Sequence, residues 1–388
     1  MKKKIFLFVL LVILGLVCLL LFKQRKLIQQ SLKDKKELAQ MDVAPVANYP
    51  IKTAAYWTSP TMGKQDAINL ARHDLLIIDL ENKFNNRQRL LEIKKMNPAV
   101  IILAYSNPME IFMTLYHSRP WQNKVIEEIT KNYPGWLLKT VNREKQTLQF
   151  AHFWPGMIML NMSSTCPRIN GERYNEWMAK KLKREILSDP IFDGYFQDNG
   201  TVNISWVYQN SQEKIDINAD NQADLNAFID KSWSKGQKQF LRSIRRYFNK
   251  RSLFLSRKMI IVTNKGDTNL LNLVDGKFFE KFPNDYLGDK WAFGWKQSMD
   301  NARQTGPYTI LQVERRFLSF GLASALLLDN AYLAVSQDDA GIFPEFEINP
   351  GKPKGNTFYF NHKYRRDYEN LRVEVEPLSQ EGKIIMPY

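Results

Sequence analysis

The sequence predicts an α/β fold: a (β/α)8 TIM barrel with an N-terminal transmembrane anchor and a short C-terminal β extension. Three observations carry this expectation. Eight short apolar runs follow one another from Thr53 onward, amphipathic stretches separate most of them, and the runs end on carboxylates and amides. Near-continuous apolar strands alternating with helices indicate a parallel sheet covered on both faces. A count of eight favours a closed barrel over an open doubly wound sheet.

The expected strands are "TAAYW" (53–57), "LLIIDLE" (75–81), "VIILAYSN" (100–107), "MIMLNMSS" (157–164), "GYFQDN" (194–199), "MIIVTNK" (259–265), "KFFEKF" (277–282) and "YTILQVE" (308–314). The expected helices include "NRQRLLEIKKMN", "NEWMAKKLKREILS", the long "NAFIDKSWSKGQKQFLRSIRRYF", "WAFGWKQSMDNARQ" and "FLSFGLASALLLDNAYLAV". Residues 108–155, with Trp121, Trp136 and Trp154, are too long for a simple connection and predict a helix and a hairpin above the barrel. Residues 345–388, with "NTFYFN" and "LRVEVEP", predict the β extension.

The N-terminus has a different character. "MKKK" precedes an uncharged apolar run from Ile5 to Phe22, and "KQRK" follows it. Eighteen helical residues span roughly 27 Å, close to the hydrocarbon thickness of a bilayer. A cleaved signal peptide has a shorter apolar core and a small-x-small site, so residues 1–26 are read as an uncleaved signal anchor. "LGLVC" approaches a lipoprotein box, but Val17 is too large for the position before Cys18. Residues 27–50 read as a polar stalk, 51–344 as the barrel and 345–388 as the extension. The expected location is the bacterial cell envelope: the cytoplasmic membrane with the domain outside it, or the exterior if the segment is cleaved.

Composition narrows the function classes. The net charge is +15, of which residues 1–50 carry +6 (nine Lys/Arg against three acids), leaving a moderately basic domain. No zinc-finger spacing, heptad pattern or RRM signature accompanies that charge, so nucleic acid is not the expected partner. Cys18 and Cys166 do not suggest an internal disulfide, and His73, His117, His152 and His362 are scattered without metal-ligand spacing.

In a barrel the active site forms at the C-terminal ends of the strands. Those ends supply Tyr56 and Trp57, Asp79 with Glu81, Tyr105 with Asn107, Asn161 with Ser163, Asp198 with Asn199, Asn264 with Lys265, Glu280, and Gln312 with Glu314. Acids and amides hydrogen-bond sugar hydroxyls, and aromatic rings stack on their C–H faces. Two carboxylates flanking a glycosidic bond supply the general acid and the base or nucleophile. Asp198 and Glu280 are the expected catalytic pair, on strands five and seven of the count above. Tyr56, Trp57, Asp79, Glu81, Tyr105, Asn161, Asn199, Asn264 and Glu314 are the expected substrate contacts. No cofactor is required by this chemistry. A weak calcium candidate is "DINADNQAD", in which Asp216, Asn218, Asp220 and Asp224 occupy positions one, three, five and nine of a calcium-type loop; Ala227 stands where a bidentate Glu belongs, and an Asx-rich turn is the competing reading.

"FDGYFQDNG", the long "DINADNQADLNAFIDKSWSKGQKQFLRSIRRYF" and "VTNKGD…DGKFFEKFP" resemble bacterial glycoside hydrolases grouped as hypothetical glycosyl hydrolase family 15. More distantly they resemble the barrel of endo-α-1,4-polygalactosaminidases. The resemblance runs from about Ala54 to "RRDYENLRVEVEP" and implies Asp198 and Glu280 as the acidic pair, with Asp79, Tyr105 and Asn264 in the same mouth. The chain departs from the family pattern at Tyr195 and Gln197, and Gln197 is expected to point away from Asp198.

The leading expectation is therefore a glycoside hydrolase acting on an envelope or extracellular polysaccharide. The alternatives are a non-catalytic glycan-binding barrel in polysaccharide assembly or export, and a deacetylase, which the scattered histidines disfavour.

Overall fold

A computed structural model describes residues 25, 29–30, 32–34, 36–142, 144–145, 147–250, 259–264, 270–283 and 291–386. Eight strands form one sheet in chain order: β1 (Ala54–Trp57), β2 (Leu75–Asp79), β3 (Ile101–Ser106), β4 (Gly194–Gln197), β5 (Ile260–Asn264), β6 (Gly276–Phe279), β7 (Thr309–Val313) and β8 (Ala331–Val335). All neighbouring pairs are parallel. Two isolated parallel bridges, Thr53 to Leu333 and Tyr56 to Gln337, link β1 to β8. The result is the nearly closed eight-stranded barrel that the alternating pattern predicts.

Among the described residues, the longer helices that accompany it are α1 (Lys64–Leu70), α2 (Arg87–Met96), α3 (Pro120–Asn132), α4 (Tyr174–Glu185), α5 (Asn226–Lys250), α6 (Trp291–Gln304) and α7 (Leu318–Leu326). In α2, Leu90, Leu91, Ile93 and Met96 recur at helical spacing and are the buried face. Between β5 and β6 the described residues include a single 3-10 turn, Leu271–Leu273.

Strand alternation separates two cores. Ala54, Tyr56, Leu75, Ile77, Leu103, Phe196, Val262, Phe278, Ile310 and Ala334 fill the barrel interior. Their neighbours in sequence, such as Ala55, Trp57, Leu76, Ile78, Tyr195 and Ile261, pack outward into the helical layer. Period two thus decides which side chains can reach the mouth.

The structure departs from the sequence expectation at three points. Residues 157–164 are not a barrel strand: Met157–Met159 pairs antiparallel with Glu110–Phe112 in the insertion between β3 and α4. An apolar run of this length is equally suited to any buried strand, and periodicity alone does not reveal its partner. The strand carrying "GYFQ" is consequently the fourth of the barrel, and the strand before Glu280 is the sixth. The missing eighth strand lies inside the last expected helix, because α7 ends at Leu326 and residues 331–335 return as β8.

The insertion contains α3 and the strands Lys139–Asn142 and Leu148–Phe150, which form a three-stranded antiparallel sheet with Glu213–Asp216 from the loop after β4. The C-terminal extension is a four-stranded antiparallel sheet, Phe358–Phe360, Lys363–Asp367, Arg372–Glu376 and Glu381–Ile385. Its last strand lies so close to α7 that a Cβ on Gly382 would meet Phe320 Cα at 2.6 Å.

The apolar run Ile5–Phe22, read as the membrane anchor, lies outside the described residues; among the described residues no helix is long and apolar enough to cross a membrane. Part of the segment read as a stalk lies against the domain. Asp34 is bound by Arg87 at 2.6 Å, and Leu38, Met41, Val43 and Val46 pack on the outer core.

Candidate active site

The inward set of each strand, continued by one position, builds the mouth. From Val262 it leads to Asn264, from Phe196 to Asp198, from Phe278 to Glu280, and from Ile77 to Asp79. Register brings three of these side by side. Gln197 pairs with Thr263, which puts Asp198 level with Asn264, and Asn264 pairs with Phe278, two residues before Glu280.

The two acids meet at one amide. Asn264 Nδ2 donates to Asp198 Oδ1 at 2.9 Å and to Glu280 Oε2 at 2.8 Å. The sum of those bonds limits the two oxygens to a separation of at most about 5.7 Å. Asp198 receives two further hydrogen bonds, from Tyr105 Oη to Oδ2 at 2.8 Å and from the Asn199 amide to Oδ1 at 2.8 Å. The Asn199 bond depends on the left-handed backbone at that residue, φ 50°, which an Asn tolerates. Beyond it Gly200 passes tightly under β5, where a Cβ would meet Thr263 Cβ at 2.8 Å.

Below the acids the barrel interior is aromatic and packed. Tyr56 and Phe278 have ring centroids 4.8 Å apart, Phe196 and Phe278 5.3 Å, and Tyr105 stacks on Phe196 at 5.8 Å. Burial, with the charge of Asp198 next, holds the phenols of Tyr56 and Tyr105 well above the ordinary tyrosine range, so both remain protonated donors. Above the acids lies a cavity of about 420 Å³ lined by Tyr56, Asp79, Glu81, Tyr105, Asn107, Glu110, Arg119, Trp121, Trp154, Asp198, Asn199, Glu280, Lys281 and Gln337 among others.

The mouth gathers most of the expected residues but not all in the expected roles. Asp79 is buried, accepts from Arg119 Nη1 at 2.8 Å and accepts the Glu81 amide at 2.9 Å; burial raises its carboxyl while Arg119 opposes the rise. Glu81 reaches the cavity wall, but its carboxylate accepts the amides of Trp121 and Gln122 at 3.0 and 2.8 Å, capping α3. Burial pushes its carboxyl up to about 7 against those two amides. Asn199 lines the cavity with a buried side-chain nitrogen that has no hydrogen-bond partner among the described residues.

Three expected contacts lie elsewhere. Trp57 occupies the outward parity of β1, and its indole donates to Thr61 O. Asn161 follows the strand Met157–Met159 in the insertion, where it donates to Ile217 O of the loop after β4 and accepts the Ser163 amide. Glu314 sits past the end of β7, half-exposed and paired with Arg316 at 2.7 Å. Gln197 points outward to Gln237 on α5 at 2.6 Å, as its parity requires.

The calcium-type loop turns its carboxylates onto its own backbone. Asp216 accepts the amides of Asp220 and Asn221, and Asp224 accepts that of Ile217. Asn218 donates to Asp220 at 3.0 Å, and the loop is an Asx-rich turn. Among the described residues no group of three or more His, Cys, Asp or Glu side chains is arranged to hold a metal ion.

Several wall residues are invisible to strand-end logic. Arg119, Glu110 and Trp154 come from the insertion, whose length and tryptophans were the only signal, and Gln337 follows the strand that was read as helix.

The model of hypothetical glycosyl hydrolase family 15 matches residues 94–372, most of the chain, and includes Tyr105, Asp198, Asn264 and Glu280. The chain belongs to that family. No curated protein matches it. Among solved structures it is similar to a noncanonic maltogenic alpha-amylase from Thermotoga neapolitana, at 10% identity and a TM-score of 0.48, over 85% of this chain and 86% of that one. It is also similar to a GH31 dextranase from Flavobacterium johnsoniae in a complex with glucose, at 13% identity and a TM-score of 0.47. That alignment covers 78% of this chain and spans 39% of the dextranase.

Proposed function

We propose that this family member hydrolyses O-glycosidic bonds of a polysaccharide, with Asp198 and Glu280 as the reacting carboxylates and net retention at the anomeric carbon. The single observation that carries the reading is the shared hydrogen bond of both acids to Asn264 Nδ2, which keeps them within reach of one sugar carbon. Retaining glycosidases place their carboxyl groups about 5–5.5 Å apart, whereas inverting ones leave roughly 6.5–9.5 Å for a water. The limit of about 5.7 Å between the facing oxygens supports the former.

The hydrogen-bond donors support a division of roles. Three hydrogen bonds hold the Asp198 carboxyl group in one orientation, which suits a nucleophile. Glu280 shares one donor with it and is the proton carrier. In the first step an Asp198 oxygen bonds to the anomeric carbon as the bond to the leaving oxygen breaks, and Glu280 gives that oxygen its proton. In the second, Glu280 takes a proton from water, the water oxygen bonds to the anomeric carbon, and the ester to Asp198 breaks. Tyr105 and Asn264 hold the nucleophile, and the side-chain Nδ2 of Asn199, without a hydrogen-bond partner among the described residues, is available to donate to a sugar hydroxyl. The uncharged run Ile5–Phe22 supports action at the cell envelope.

The test is hydrolysis of a panel of polysaccharides and aryl glycosides, with the anomer first formed read by NMR. Asp198→Asn and Glu280→Gln are expected to lose roughly a thousandfold or more in kcat with unchanged melting temperature. Full activity in either variant, or an inverted first product, would sink the mechanism. Binding without turnover by the native chain would instead make the barrel a glycan-binding scaffold.

A further inference from the structure

Outside the acid pair, the insertion and the loop after β4 build an exposed row of rings. Trp154 lines the cavity and is 53% exposed; Trp206, on the 3-10 turn Ser205–Tyr208, is 42% exposed. Phe153 stands between them, with ring centroids 5.2 Å from each and edge-to-face geometry on both sides. An apolar surface of this kind is costly to expose on a soluble face unless something covers it.

Hydrogen bonds to the backbone tie the row to the body of the protein. Glu110 is buried and its Oε1 accepts the amides of both Phe153 and Trp154, at 3.0 and 2.9 Å. Tyr208 clamps the adjoining residue twice: its hydroxyl accepts the His152 amide at 2.7 Å and donates to the His152 carbonyl at 3.0 Å. The Trp206 indole donates to Asn203 O at 3.2 Å, which fixes the ring's tilt. Two segments some fifty residues apart are thereby cross-tied so that their rings share one ledge. Fixed, exposed rings continuous with a polar cavity suit a ligand made of repeating units that are apolar on their faces and polar on their edges. A sugar chain has that chemistry.

We infer that the Trp154–Phe153–Trp206 ledge is a subsite for a polysaccharide chain running out of the acid-lined cavity, so that the protein binds several consecutive sugars and not a terminal residue alone. The inference rests on the cavity being a sugar site.

The test uses full-length Glu280→Gln protein in native gels cast with dextran (neutral), chitosan (cationic) or alginate (anionic). Trp154→Ala and Trp206→Ala leave the net charge unchanged, so ionic drag is common to all variants. At least one polymer is expected to retard the Glu280→Gln protein, with an apparent affinity about tenfold weaker once either tryptophan becomes alanine. Trp→Phe at the same positions keeps a ring and is expected to retain most of the retardation. Equal mobility of the alanine and parent proteins in all three gels overturns the ledge. So does a loss in the phenylalanine variants as complete as in the alanine ones, which would mean that the indoles only pack the loop. Tryptophan-dependent retardation by a native chain that cleaves nothing would leave the ledge standing and defeat the hydrolase reading.

Discussion

Two acidic regions of this chain look alike in sequence and differ entirely in what their oxygens face. In the barrel mouth, Asp198 and Glu280 are held by side chains from other strands, Tyr105 on β3 and Asn264 on β5, beside a cavity. In the loop 216–224, Asp216 and Asp224 accept backbone amides of that same loop. A carboxylate consumed by local amides shapes the chain; one steadied from across a barrel keeps lone pairs and space for a reactant. Glu81 and Glu110 show that the distinction is not one of place. Both reach the same cavity, yet each holds two backbone amides.

The comparison can be broken at its strongest point first. Asn264→Ala removes the one donor common to both acids and is expected to lower kcat about a hundredfold, with melting little changed. If activity survives, the shared amide does not organise the pair.

Glu81 tests the other class. Glu81→Ala leaves the Trp121 and Gln122 amides at the start of α3 without their acceptor, and a loss of about 2–3 kcal/mol in unfolding free energy is expected from denaturant titration. The pH profile sharpens this. With its carboxyl pushed up from 4.5 to about 7, the folded state holds a proton that the unfolded state has released. The stability from that proton is present below pH 4.5 and lost as pH rises to about 7, with a slope approaching roughly 1.4 kcal/mol per pH unit. Glu81→Gln, which cannot titrate, is expected to flatten the slope; an unchanged slope would assign it to other groups.

The smallest effect belongs to the loop. Asp216→Asn keeps one amide acceptor and is expected to shift stability by no more than about 1 kcal/mol. Millimolar calcium is expected to leave the melting curve of the native protein in place. A calcium-dependent rise in melting temperature that Asp216→Asn abolishes would return the loop to the metal-binding class.

Much of this arrangement was legible in order and type. The alternation of apolar runs with amphipathic helices predicted the parallel barrel, and the residues closing "GYFQDN", "MIIVTNK" and "KFFEKF" include three that meet in the mouth. Parity separated Asp198 from Gln197 before any contact was known, because side chains on a strand alternate by necessity. Where the reading failed, the local signal was ambiguous. "MIMLNMSS" has the composition of a buried strand and is one, but its partner is Glu110–Phe112 and not β3. "AYLAV" follows a helix so closely that its own short period was absorbed into the helical pattern.

The sequence by itself determined the class of fold, the order of the strands that carry Tyr105, Asp198, Asn264 and Glu280, and the face of the barrel on which those side chains emerge. These follow from periodicity, which is local. Tertiary structure alone decided that one amide binds both acids, that Glu81 and Glu110 serve backbone, and that Trp154 and Trp206 share a ledge. Each of those depends on register and loop closure between residues from sixteen to more than fifty positions apart, and neither leaves a trace in the spacing of residue types along the chain.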